Sequence, residues 1–345
     1  MQSRVTEIDG WRAISVGLVI CSHLLLRSSI AIDFERFIFL DAWGHLGVQI
    51  FFVISGFVIC RGLLAEQDKY GRASMAAFYI RRLFRIVPPL AMYLAVILPL
   101  SYFALVQLDY GPFWRILTFT CNFGTCGGYV VDHLWSLSIE EQFYLIFPLA
   151  FLFLKNSRKR AFGVWAIIFP VSVLLLMALR FKPATYAADF LYINIGVVCA
   201  FYEREIARFC RKLPKLTPLL CFGALLLLSA LIGPDRISTL TRCLVLPPLI
   251  ALMLMSSHYR PSSISDVLNL PLLSSIGRVS YSLYLWQQLA TYPFAGAGVG
   301  FYVASMTACL ALVYLSFYGM EKPLMDAGAR ISDRLKHTRA DDKAR

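Results

Sequence analysis

Residues 8–27 read IDGWRAISVGLVICSHLLLR. Asp9 and Arg12 open a run that is otherwise apolar for long enough to cross a bilayer, because about 20 apolar residues span about 30 Å of hydrocarbon. No small-residue cleavage site follows, and Arg12 and His23 lie inside the run, so it reads as the first helix of the mature chain and not as a removable leader. Comparable stretches recur at 44–64, 84–106, 138–154, 162–180, 187–202, 217–233, 239–257, 276–294 and 298–319. The expected fold is all-α, a polytopic transmembrane helical bundle of about ten spans in a lipid bilayer. Composition agrees: of 345 residues 58% are hydrophobic and 16% charged, whereas a soluble domain carries about 25% charged residues. No internal repeat or second soluble domain is legible. Residues 1–323 read as one transmembrane domain and 324–345 as a charged, partly disordered tail.

The net charge of +12 describes topology. With the N-terminus inside, 26 of the 33 Lys and Arg residues fall in cytoplasmic connections and 7 in outer ones. That split predicts an even number of spans with both termini cytoplasmic. Nucleic-acid binding is excluded, since the basic residues flank membrane segments and form no single soluble face.

Of the nine cysteines, most are scattered through apolar runs. No C-x-x-C pair occurs, so no metal site is expected. Cys121 and Cys126 share the outer connection 107–137. They form a disulfide if that loop meets an oxidising compartment, or stay as two free thiols.

Ionisable groups inside spans are costly and point to function. Arg12 and His23 are separated by about 16 Å of helical rise, three turns, and lie on nearly one face. Asp9 is placed to pair with Arg12. His23 is the side chain best suited to move a proton near neutral pH, or it is a packing histidine. In HLWSLSIEEQFYLIFP (133–148), Glu140 and Glu141 enter a span near its outer end. They either orient the imidazole or cap a helix and meet its macrodipole. In YIRRLFRIVPP (79–89), Arg81, Arg82 and Arg85 precede a proline pair, with Arg82 and Arg85 on one face. They clamp phosphates or simply anchor the cytoplasmic side. Tyr281, Tyr284 and Gln287 in GRVSYSLYLWQQL contact substrate or form an aromatic belt.

Taken in order, IDGWRA with His23, GVQIFFVISGFVI, RRLFRIVPP, HLWSLSIEEQFYLIFP, SYSLYLW and EKP resemble the acyltransferase-3 family of integral membrane O-acyltransferases, which includes O-antigen and nodulation-factor acetylases. The resemblance runs from residue 8 to 323. It implies transfer of an acyl group, most often acetyl, from acyl-CoA to a hydroxyl of a cell-surface or secreted saccharide, at the bacterial cytoplasmic (inner) membrane. His23 corresponds to the family's proposed catalytic histidine, with Arg12 beside it. Arg82 and Arg85 match its R-x-x-R motif, and Glu140 and Glu141 its acidic motif. Gln287 stands where many members carry a histidine. The extra extracytoplasmic esterase-like domain of some relatives is not expected to take part.

The resulting expectation places acyl-CoA on the cytoplasmic side, with Arg81, Arg82 and Arg85 on its phosphates. The pantetheine arm runs along the first two spans, past Phe52 and Ser55. His23, Glu140, Glu141, Asp9 and Arg12 form the catalytic set, and Trp135, Tyr281, Tyr284 and Gln287 contact the acceptor. A proton-coupled transporter or flippase for a saccharide is the alternative that intramembrane Asp, Arg, His and Glu also suit.

Overall fold

The apolar runs form helices, the form that satisfies every backbone polar group internally where water is absent. The structure, a computed structural model, describes residues 6–27, 34–153, 171, 188–232, 236–294 and 297–344. No strand occurs among them. Five described helical segments are long and apolar enough to cross a membrane: Thr6–Leu26, Leu40–Tyr70, Met75–Tyr102, Leu240–Tyr259 and Val299–Lys336. The expected spans 187–202 and 217–233 correspond to the shorter apolar helices Asp189–Phe201 and Thr217–Leu231. Expected span 162–180 lies, Val171 apart, outside the described residues.

The chain folds as two units, residues 1–61 with 154–280, and 62–153 with 281–345. The first unit begins with α1 (Thr6–Arg27) and the larger part of α2 (Phe34–Tyr70). It continues with α7 (Asp189–Phe201), α8 (Glu203–Cys210), α9 (Thr217–Leu231), α10 (Arg236–Leu244), α11 (Leu246–Tyr259) and α12 (Ser263–Leu268). Helix α11 is the hub, packed by α1, α7, α8, α9, α10 and α12. Its start carries prolines at the first helical positions, where a missing N–H costs nothing. Helices α2 and α7 meet through glycines. A Cβ on Gly56 would lie 2.0 Å from the Ile193 carbonyl oxygen, and one on Gly196 would lie 2.1 Å from that of Val53. The Ser-Gly step expected to permit close approach of the second span thus sits at the contact itself.

The second unit holds the end of α2, α3 (Met75–Tyr102), α4 (Trp114–Leu117), α5 (Tyr129–Asp132), α6 (Leu134–Phe153), the end of α13 (Pro271–Ala290), α14 (Val299–Ser316), a π-helical turn (Phe317–Glu321) and α15 (Lys322–Ala344). Helix α3 begins well before the expected residue 84. Ser74 caps it, its side chain accepting from the Ala77 N–H at 3.4 Å, while Glu66 accepts from the Ser74 N–H at 2.7 Å. The arginine cluster is therefore inside α3 and not ahead of it. Residues 324–344, read from the sequence as a charged tail, lie in α15, which packs along α3. Gly328 and Ser332 are buried on its inner face. Arg81 donates to Ser332 and pairs with Glu66 at 3.2 Å, and Lys336 meets Glu66 at 3.4 Å. Lys336 thus ties this helix to the end of α2, and Ser332 ties it to α3. In the 107–137 connection Cys121 and Cys126 are joined as a disulfide, with their Cα atoms 5.2 Å apart.

Candidate functional site

In the second unit α3 and α6 build a polar centre. Arg82 stands between two rings, its guanidinium carbon 5.6 Å from the Phe78 centroid and 5.2 Å from that of Tyr144. Such contacts strengthen as the cation loses water. Glu141 and Arg82 interact electrostatically. Yet Glu141 Oε1 and Arg82 Nε are both buried without a hydrogen-bond partner among the described residues. Buried polar atoms are normally satisfied, so a pair left open is a place to put a ligand. Glu140 sits beside Glu141 and accepts from the Tyr144 hydroxyl at 3.4 Å.

Arg85 serves a second carboxylate. Its charge acts on Glu321 and on Tyr281. Glu321 is buried in the π-helical turn, where it accepts hydrogen bonds from Ser316 at 3.0 Å and from Ser282. Turns of this kind recur at functional sites. Tyr281 donates to the Ile86 carbonyl at 3.1 Å, fastening α13 to α3.

Two expectations change here. Helix α6 starts at Leu134, so Glu140 and Glu141 lie in its second turn, beyond the reach of N-capping and of most of the macrodipole effect. The capping reading is thereby removed. The arginines and glutamates were also expected towards opposite ends of the bundle. Instead, Arg82 and Glu141 share one level, because α3 starts earlier than the hydropathy indicates and so does α6.

Toward the start of α6, Ser136 and the Tyr284 hydroxyl are 2.7 Å apart, and Tyr284 also donates to the His133 carbonyl at 3.2 Å. Trp135 is half-buried. Gln287 is fully buried and donates to Gln288 at 2.9 Å, while Gln288 donates to the Tyr129 carbonyl at 2.8 Å. Arg81 is engaged with Glu66 and Ser332, as described, and so differs from Arg82 and Arg85 in what it faces.

The first unit carries the remaining candidates. Arg12 and Asp9 pair at 3.5 Å, with Asp9 almost wholly buried. Gly277 lies against the Asp9 main chain, where a Cβ would come within 1.9 Å of the carbonyl oxygen. Trp11 of the same motif donates to Ser257 at 2.9 Å. The IDGWRA motif is thus pinned on two sides. His23 is half-buried on the same helix, and Phe52 and Ser55 are on α2, Phe52 in the core. His23 belongs to the first unit and the glutamates to the second.

Sequence reasoning missed His133 and Glu321. His133 opens its motif with no role legible from spacing, yet its ring is buried and stands perpendicular to Tyr93, with centroids 5.7 Å apart, and 5.5 Å from Tyr284. Glu321 reads from the sequence as a helix stop. Its signal was the pair of serines that bond it, one 39 residues away and one 5 away in sequence.

A model of a family described as "Acyltransferase domain" matches residues 5–319. Among curated proteins the chain is 26% identical over 365 residues, 94% of its own length, to "Putative O-acetyltransferase SACOL0978" of Staphylococcus aureus (strain COL). It is also 26% identical over 312 residues, 81% of its length, to "O-acetyltransferase OatA" of Staphylococcus aureus (strain NCTC 8325 / PS 47). The chain spans 58% of the first of these relatives and 49% of the second. No solved structure matches it. With the family model covering nearly all of its residues, the chain belongs to this acyltransferase family.

Proposed function

We propose that the protein is a membrane O-acyltransferase that moves an acyl group, acetyl in the first instance, from acyl-CoA to a hydroxyl of a saccharide. One observation carries this reading: Arg82 and Glu141, whose charges interact, each keep a buried polar atom, Nε and Oε1, without a hydrogen-bond partner among the described residues. The family and the names of its relatives support the class of reaction.

On this reading Arg82 and Arg85 take the phosphates of coenzyme A, a task for which a guanidinium is better shaped than an ammonium. The pantetheine arm passes Phe52 and Ser55. His23 removes the proton from the acceptor hydroxyl. The hydroxyl oxygen then forms a C–O bond to the thioester carbonyl carbon, the C–S bond breaks, and the CoA thiolate leaves and takes up the proton. Asp9 holds Arg12 in place beside this path. Glu140 and Glu141 supply negative charge that balances the arginines once the donor has gone.

The orientation expected from charge, with both termini cytoplasmic and the 107–137 connection outside, is supported by the Cys121–Cys126 disulfide, since such bonds persist in oxidising compartments. The donor then comes from the cytoplasm and the acceptor from the other side of the cytoplasmic membrane.

The test is thiol release from acetyl-CoA by the purified protein in nanodiscs, with a saccharide acceptor present. Acceptor-dependent release and a product heavier by one acetyl group are expected. Release that never depends on acceptor, with no acetylated product, overturns the proposal and favours transport.

A further inference from the structure

The outer part of the second unit contains a cleft of about 770 Å³, within the range of small-ligand sites. Gln107, Asp109, Tyr110, Tyr129, Asp132 and Tyr292 supply its polar and aromatic lining. Its shape is fixed before any ligand arrives. Gly127 and Gly128 have φ of +122° and +118°, a region that side chains rarely enter. The Asp109 N–H donates to the Gly127 carbonyl at 2.7 Å. The Gln107 N–H donates to the Tyr292 hydroxyl at 3.0 Å. Tyr129 is held against Thr291 at 2.8 Å. The Cys121–Cys126 disulfide braces the same connection.

Each carboxylate commits one oxygen to this scaffold. Asp109 Oδ1 accepts from the Gly111 N–H at 2.9 Å, and Asp132 Oδ1 accepts from the N–H groups of Cys126 and Gly128 at 3.2 and 3.4 Å. The second oxygen of each has no hydrogen-bond partner among the described residues. Tyr110 is exposed at 53%, with its ring available for stacking. Carboxylate oxygens, an amide and tyrosine rings around one cleft suit a sugar, which offers hydroxyl groups on its rim and C–H bonds on its faces. Among the described residues no Lys, Arg or His lines the cleft, and two Asp do, so an acidic sugar meets like charge.

Asp132 ties the cleft to the polar centre through the chain. It ends α5, with one residue between it and the start of α6 at Leu134, and Glu141 lies seven residues along α6, about 10 Å of helical rise from that start. Ser136 and Tyr284 stand between them.

We propose that this cleft binds the acceptor as a saccharide that carries neutral or amine-bearing rings and no acidic groups, and feeds its hydroxyl toward the α3–α6 centre. The inference rests on the acyltransferase reading for its role, and on the cleft alone for its ligand.

The experiment measures binding of three tetrasaccharide probes to the purified full chain by isothermal titration: neutral cellotetraose, cationic chitosan tetraose and anionic tetragalacturonate. The first two are expected to bind, the third at least about tenfold more weakly. Tyr110→Ala should weaken cellotetraose about tenfold, Tyr110→Phe should restore it, and Asp109→Asn with Asp132→Asn should reduce the discrimination against tetragalacturonate. The Asn variants keep the oxygens that accept from the backbone. Melting curves of all variants check the fold. Absence of any binding, equal binding of tetragalacturonate, or a folded Tyr110→Ala that binds like the parent overturns the inference. Thiol release from acetyl-CoA is measured in parallel. Probe binding without acceptor-dependent release overturns the proposed reaction and leaves the cleft; release without probe binding does the reverse.

Discussion

The guanidinium of Arg82 in α3 lies 5.2 Å from the ring centroid of Tyr144 in α6. These residues are 62 positions apart, and their meeting puts the R-x-x-R motif and the paired glutamates into one buried centre. The contact separates the three arginines into two kinds. Arg82 and Arg85 interact electrostatically with the carboxylates of Glu141 and Glu321, whereas Arg81 is bound to Glu66 and to α15.

Arg82→Gln is expected to raise the KM for acetyl-CoA by about tenfold or more, from the loss of a charge-assisted contact of about 1.5–3 kcal/mol. Arg81→Gln should leave that KM within about twofold of the parent and lower the melting temperature, because it leaves Glu66 with one basic partner fewer. Steady-state kinetics and thermal melts on both variants check the division. An equal rise in KM for the two would show that Arg81 shares the donor site.

His23→Ala should lower kcat by about 10² to 10⁴, the usual worth of a positioned general base, while expression and melting stay near the parent. A folded His23→Ala that acetylates at the parental rate would remove this residue from the mechanism.

Gly56→Leu forces side-chain atoms into the Ile193 carbonyl across the α2–α7 contact. Destabilisation of at least about 1–3 kcal/mol is expected, read as a lower melting temperature in detergent. Gly223→Leu, at a position where an added Cβ would meet open space, serves as the control and should melt near the parent.

Reduction of Cys121–Cys126 should loosen the outer connection. The short loop it closes corresponds to about 2 kcal/mol of stabilisation. A membrane-impermeant maleimide added to intact cells should label these cysteines only after reduction, and Cys60, buried in the first unit, not at all. Labelling that required permeabilised cells would place the connection inside and reverse the proposed orientation.

Much of this was legible in the chain itself. The order of apolar runs, the 26-to-7 distribution of basic residues and the identities of Asp9, Arg12, His23, Arg82, Arg85, Glu140 and Glu141 needed no coordinates. Hydropathy reports how long a segment stays apolar, and charge reports which connections are basic. Neither reports helix register.

Where each helix begins, and which way it is turned, was decided by tertiary contacts. Ser74 and Glu66 started α3 early enough to carry its arginines inside, and α6 began at Leu134. Those two starts go with the meeting of Arg82 with Tyr144 and Glu141, while separate tertiary contacts join Glu321 to Ser282 across 39 residues and shape the cysteine- and glycine-rich connection into a cleft. The physical reason is that apolar surface is satisfied by any lipid or side chain, so it selects a helix without selecting its neighbour. A buried polar atom is satisfied by few partners, and finding them is what set the register of this site.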